Sequence, residues 1–199
     1  MSTDVWLTPP YILNALGGAQ SFDLDPCACE NRPWDTARQH YTWRDNGLLK
    51  TWHGRVYLNP PFSAVNRWVG RMVAHGHGIG LLFAKTETQA FQTIFDTASG
   101  LLFLEGRITF HEPDGRLGKH RSQHPTVLMA WGQDDAEVLA TSDLPGKFVP
   151  LQIPRIFAAL ALNQTWKQAI RDWMKDQRGP VRLADLYAAF AQHRKRREN

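Results

Sequence analysis

The chain has 199 residues, 43% of them hydrophobic and 21% charged, with a formal net charge of +4. That composition excludes a disordered tail, a collagen-like fibre and a disulfide scaffold. The length suits one ordinary domain, or one with a small appendage, whose core needs no metal or disulfide staple. The charge is uneven: residues 166–199 hold nine basic and four acidic side chains, whereas the first 165 hold 14 and 15. A basic segment ending in Arg194-Lys195-Arg196-Arg197 points to an anionic partner, nucleic acid before others. No apolar run approaches the roughly 20 residues of a membrane helix. The first residues, Met1-Ser2-Thr3-Asp4-Val5-Trp6, lack the pattern of a signal peptide. Cys27 and Cys29 stand too close for an unstrained bridge and read as free thiols in a reducing compartment.

In chain order, Tyr11 and Leu13–Leu16 form a short helical pattern closed by Gly17-Gly18. Ser21–Asp25 alternates as a strand and stops at Pro26. His40–Trp43 reads as a short strand, and Arg55–Leu58 as another, stopped by Asn59-Pro60-Pro61. Val65, Trp68, Val69 and Met72 make one apolar helical stripe. Ile79–Phe83 is a continuous apolar run, the mark of a strand buried on both faces. Thr88–Ala98 is helical again. Leu101–Phe110 and Thr126–Trp131 read as two strands of a long hairpin, which ends the sheet with an antiparallel strand. Pro145, Gly146, Pro150 and Pro154 then read as a linker. Thr165–Gln168 has capping-box spacing. Trp166, Ala169, Ile170, Trp173 and Met174 form one stripe, and Leu183, Leu186, Tyr187 and Phe190 a second beyond Gly179-Pro180. The pattern predicts an α/β domain over residues 1–160, with a mostly parallel sheet covered on both sides. A basic helical hairpin over 161–199 is a candidate DNA-binding appendage.

Asn59-Pro60-Pro61-Phe62 carries the most chemical information. It follows a buried strand directly and precedes a helix, and α/β sheets bind ligands beyond the carboxyl ends of their strands. An exocyclic base amine is a poor nucleophile because its lone pair is conjugated into the ring. Acceptors on its N–H groups improve it: the Asn59 side-chain oxygen for one, the Pro60 carbonyl for the other. The prolines stiffen the loop that holds those acceptors, and Phe62 is suited to stack on the base. A strong base is not needed, because the proton becomes acidic only as a methyl group arrives. Cys27, Cys29 and the histidines form no Cys-x2-Cys pair, so no metal site is expected. The 111–125 loop, with Arg116, Lys119, His120 and Arg121, is placed to reach a nucleic-acid groove.

Together these segments resemble the short phage-encoded DNA N6-adenine methyltransferases, over roughly residues 4–132. Trp6-x-Thr8-Pro9 resembles that family's N-terminal cofactor motif. Phe22-Asp23-Leu24-Asp25-Pro26-Cys27-Ala28 looks like its first cofactor motif. Asp45-Asn46-Gly47-Leu48, Leu81–Thr88 and Leu104–Phe110 are similar again. The resemblance implies a Rossmann-like methyltransferase sheet and S-adenosylmethionine as cofactor. It implies adenine N6 in double-stranded DNA as acceptor, flipped into the Asn59–Phe62 pocket. It further implies cofactor contacts from Trp6, Thr8, Pro9, Asp23, Asp25, Pro26, Cys27 and Asp45. Lys85, Arg107, Arg116, Lys119 and Arg121 are then expected at DNA. A cytoplasmic location in a bacterial host and a role in protection against restriction follow from the phage likeness alone. Cytosine N4, an RNA base, a glutamine side-chain amide, or an inactive DNA-binding module remain alternatives.

Two departures stand out. Asp25-Pro26-Cys27-Ala28 replaces the usual glycine-rich loop, and only 34 positions separate Asp25 from Asn59. Two full βαβ units do not fit in that interval. The expectation is a trimmed sheet with abbreviated second and third strands.

Overall fold

Alternation within each strand decides which way its side chains face, and the result is a sheet with a core on either side. The computed structural model describes residues 5–152, together with Ile170, Met174, Arg182 and Ala184. The chain divides into two units, residues 1–152 and 153–199. The predicted C-terminal hairpin lies outside the described residues apart from those four, of which Ile170, Met174 and Ala184 are helical.

The elements of the first unit are α1 (Pro10–Ala15), β1 (Leu24–Asp25), β2 (Gln39–His40), β3 (Val56–Leu58), α2 (Val65–His75), β4 (Gly78–Phe83), α3 (Gln89–Thr97), β5 (Gly100–Leu104), β6 (Thr126–Trp131), α4 (Gln133–Thr141) and β7 (Gly146–Pro150). The strands form one sheet in the order β2-β1-β3-β4-β6-β5-β7. Strands β1 to β4 pair in parallel. β6 is antiparallel to both β4 and β5, so β5 runs with β4; β7 is antiparallel to β5. Tyr57, Ile79, Leu81 and Leu128 face one core with Ile12 of α1, Leu16 just after it, and Leu139 of α4. Val56, Leu58, Val127 and Met129 face the other with Trp68 and Met72 of α2 and Ile94 of α3. Full burial of each such side chain stabilises by roughly 1.5–3 kcal/mol. Helix α3 starts at Thr88, whose hydroxyl accepts from Phe91 N, and α2 ends at Gly76 with φ +76°, the left-handed cap that glycine adopts without strain.

Four sequence expectations need correction. Thr126–Trp131 does not end the sheet; it is inserted between β4 and β5. The Leu101–Phe110 strand stops at Leu104. The stretch read as a linker contains β7, which among the described residues pairs only with β5, so the N–H that Pro150 lacks is not needed by a described neighbour. The second strand lies at Gln39–His40 rather than 40–43. Helix α4 was not anticipated at all.

The amino ends of the strands are bound by Arg55. Its Nε donates to Asp135 Oδ1 at 2.6 Å and its Nη1 to Ser21 Oγ at 2.7 Å. Its guanidinium lies 4.1 Å from the Phe22 ring centroid. Asp135 is 1% exposed, so this pair joins α4 to β3 out of water.

Candidate active site

The carboxyl ends of β1 and β3 lie side by side in the sheet, and the segment Val5–Thr8 borders the same cleft. Leu7 exchanges two backbone hydrogen bonds with His111, of 2.9 and 3.0 Å. Thr8 Oγ1 and the buried Tyr57 hydroxyl share a bond of 2.6 Å. Trp34 Nε1 donates to the Thr8 carbonyl at 3.2 Å. Between this strap and the strand ends is an open cleft of about 420 Å³, counting its mouth.

Trp6, Thr8, Asp25, Cys27, Asn59 and Pro61, all anticipated from sequence, line it together. Asn59 follows β3 directly. Its Nδ2 donates to the Trp6 carbonyl at 2.7 Å, which commits the nitrogen side of the amide and leaves Oδ1 as the acceptor side. The Cys27 thiol donates to the Asn59 carbonyl at 3.4 Å. Burial pushes that thiol well above its ordinary pKa, so it is held as S–H. After Asn59, Pro60 and Pro61 keep the backbone extended until a 3-10 turn at Phe62–Ala64 leads into α2. The Phe62 ring stacks on Phe83, with centroids 4.2 Å apart and planes at 15°. Phe83 also meets His124 at 5.4 Å.

Asp25 is 3% exposed. Its Oδ1 accepts from Cys27 N at 3.0 Å and its Oδ2 from Thr36 Oγ1 at 2.5 Å. Desolvation outweighs these bonds and pushes its carboxyl up to about 6. His40 stands nearby on β2, with Nε2 accepting from Thr36 N and Ala37 N at 3.2 and 3.3 Å. An acceptor nitrogen carries no proton, and burial with the neighbouring Arg32 charge lowers His40 to about 4. The 3.8 Å approach of the same nitrogen to Asp35 is therefore not a charged pair at neutral pH. Loop 41–52 supports the turn after β1: Gly47 packs so close that a Cβ would overlap the Pro26 carbonyl. Trp52 Nε1 donates to the Gly47 carbonyl at 2.8 Å.

Other expected residues lie elsewhere. Pro9, Pro26 and Pro60 are buried beside the cleft without lining it. Asp23 Oδ2 accepts from Arg55 N at 2.8 Å, and Oδ1 from Arg38 at 3.0 Å. The Arg55 backbone bond holds its carboxyl below the usual range. Asp45 is exposed and closes a turn, accepting from Thr42 N and Oγ1. Phe62 belongs to the aromatic stack and not to the lining. Lys85 is half-buried. Arg107 donates to the Ser122 and Gln123 carbonyls. Arg116 is paired with Asp114 and Glu112; Lys119 and Arg121 are exposed. Cys29, Arg32, Thr36 and Tyr57 also line the cleft, and the sequence reading missed them. Alternation around Tyr57 was a usable signal; the loop residues carried none.

Among the described residues no three His, Cys, Asp or Glu side chains converge as a metal site. None of their helices is long and apolar enough to cross a membrane. No curated protein and no solved structure matches the chain. The family model for DNA N-6-adenine-methyltransferase (Dam) matches residues 1–143. That span holds every residue of the cleft and the whole Asn59–Phe62 motif, and the chain belongs to the DNA N-6-adenine-methyltransferase (Dam) family.

Proposed function

We propose that the protein transfers a methyl group from S-adenosylmethionine to N6 of adenine in DNA. The cleft between the N-terminal strap and the ends of β1 and β3 holds the methyl donor, and Asn59-Pro60-Pro61-Phe62 receives the base. The observation that carries this reading is the Asn59 amide, turned by its bond to the Trp6 carbonyl at the edge of the cleft. Its Oδ1 is available to accept from an amine N–H, drawing electron density onto the nitrogen that must attack. The residues fit the donor: a buried acid at Asp25, an arginine nitrogen without a hydrogen bond at Arg32, and small side chains at Cys27 and Ala28. Trp6, Thr8, Asp25 and Cys27 hold it. When bound, the donor supplies an electrophilic methyl group on a sulfonium.

Orientation accounts for most of what the protein contributes. The strap and the Cys27 thiol fix Asn59 from two sides before reaction, so no reorganisation is needed at the barrier. Adenine leaves the duplex for this site at a cost of a few kcal/mol. Lys85, Arg107, Lys119 and Arg121 offset part of that cost through phosphate contacts. Arg116, tied to two carboxylates, contributes only by exchanging them for phosphate.

The test is incubation with radiolabelled S-adenosylmethionine and unmethylated DNA, followed by digestion to nucleosides. Label is expected in N6-methyladenosine. Label in N4-methylcytosine overturns the choice of base, and no label overturns the activity. Asn59→Ala should lower the rate by about 100–1,000-fold or more while retaining cofactor binding. Normal methylation by that variant refutes the role of Asn59.

A further inference from the structure

The bond that orients Asn59 ends on a backbone carbonyl, so the amide is only as fixed as the strap that carries Trp6. Residues 6–8 lie in no helix and no strand, and Leu7 makes an isolated bridge to His111. His111 stands at the base of a hairpin over residues 110–118. There Gly118 N donates to the Phe110 carbonyl and Glu112 N to the Arg116 carbonyl, each at 2.8 Å. The His111 side chain braces this hairpin on two sides. Its Nδ1 donates to the Gly115 carbonyl at 2.9 Å. Its ring meets the Trp34 ring edge to face, with centroids 5.0 Å apart and planes at 86°. Trp34 in turn donates from Nε1 to the Thr8 carbonyl, two residues beyond the carbonyl that Asn59 uses. Gly115, at φ +86°, packs against the same loop: a Cβ there would stand 2.6 Å from Pro33 Cγ. One residue therefore joins both supports of the strap, the Leu7 bridge through its backbone and the Thr8 bond through Trp34. Neither His111 nor Trp34 lines the cleft, so contact with a molecule in the cleft does not account for the arrangement.

We propose that His111 is a positioning residue for the methyl transfer, a role that rests on Asn59 being the acceptor for the substrate amine. Through Trp34 and the strap, His111 holds the Trp6 carbonyl where it takes Nδ2 of Asn59 and turns Oδ1 to the amine. The 110–118 hairpin then has a task in catalysis that does not depend on its basic side chains.

The test compares His111→Ala with His111→Asn in the full chain. Asparagine offers an N–H in place of Nδ1–H and keeps the Gly115 bond, whereas alanine keeps neither contact. The first readout is the side-chain amide of Asn59 in heteronuclear NMR spectra, assigned by its loss in Asn59→Ala. In His111→Ala its two protons should move towards the positions of a solvated amide, and in His111→Asn they should move back. The second readout is kcat with S-adenosylmethionine and DNA both saturating. His111→Ala should lower it by on the order of 10–100-fold, and His111→Asn should restore part of it. Added to Asn59→Ala, His111→Ala should cost less than about 2-fold more, because the amide it positions is already gone. An equal loss in both backgrounds would make His111 a residue of the fold alone and overturn the inference. An Asn59 amide unmoved in His111→Ala overturns it too, as does an unchanged kcat. An unaltered protein that transfers no methyl group overturns the functional reading and takes this inference with it, a failure distinct from those three.

Discussion

Replacing Asp25 with Asn removes a charge that the fold buries and the cleft requires, so stability and binding should move in opposite directions. In the folded chain the Asp25 carboxyl is pushed from 3.8 up to about 6 by desolvation. A group whose folded pKa lies above its unfolded value stabilises fully below pH 3.8. That contribution is lost as pH rises through about 6. Two units correspond to about 3 kcal/mol once the carboxyl is fully ionised. Between pH 4 and pH 8 the difference between variant and parent should change by roughly 2 kcal/mol in favour of the variant. The assay is urea denaturation of both proteins at several pH values. Taking the difference cancels the other titrating groups, His40 among them. Asn keeps an oxygen for Cys27 N and turns its NH2 towards Thr36 Oγ1, which accepts where it formerly donated, so packing is little altered. The same variant should bind S-adenosylhomocysteine more weakly, because the ligand's ammonium loses its counter-charge. A stability difference that stays flat from pH 4 to pH 8 would refute the claim that Asp25 is buried as a charge at neutral pH.

Other consequences are open to simple measurements. Arg55→Met leaves Asp135 buried without its guanidinium and should cost about 3–5 kcal/mol, read by urea denaturation; a loss below 1 kcal/mol contradicts the burial of that pair. His40, lowered to about 4, favours folding while neutral, so its contribution is lost as pH falls from 6.5 towards 4. Its ring signals in an NMR titration should stay those of neutral imidazole at pH 5. Gly47→Ala forces the 41–52 loop away from Pro26 and should weaken S-adenosylhomocysteine binding more than it lowers the melting temperature. The reverse ordering would separate that loop from the cleft.

What could be read from the sequence follows from how local each signal is. Ile79–Phe83 and Thr126–Trp131 announce themselves as strands because runs of consecutive buried residues, five in β4 and six in β6, leave nearly continuous apolar sequence. Their neighbours in the sheet do not, because pairing is non-local. Nothing in either run says that β6 slides between β4 and β5. The β7 strand was hidden by its flanking prolines, whose missing N–H groups matter little at an edge. Asp23 and Asp25 illustrate the limit at the site. They sit in one motif two positions apart, but the first braces Arg55 at one end of the short strand and the second enters the cleft at the other. Asn59 was legible because its motif closes a strand, and Trp6 and Cys27 through the motifs that carry the family resemblance. Arg32 and Thr36 were not, because an irregular loop carries them there.

The insertion of β6 also sets an order of events during synthesis. β4 has β3 on one side, and its other edge can be filled only by β6. β5 has no partner other than β6 and β7, both made after it. At roughly 5–20 residues per second, several seconds pass between the emergence of Phe83 and that of Thr126–Trp131. For that interval the nascent chain offers an unpaired apolar edge, the commonest template for wrong association. A ribosome stalled before residue 126 should therefore display a chain that recruits holdase chaperones. One stalled after β6 has cleared the exit tunnel should display a chain that does not.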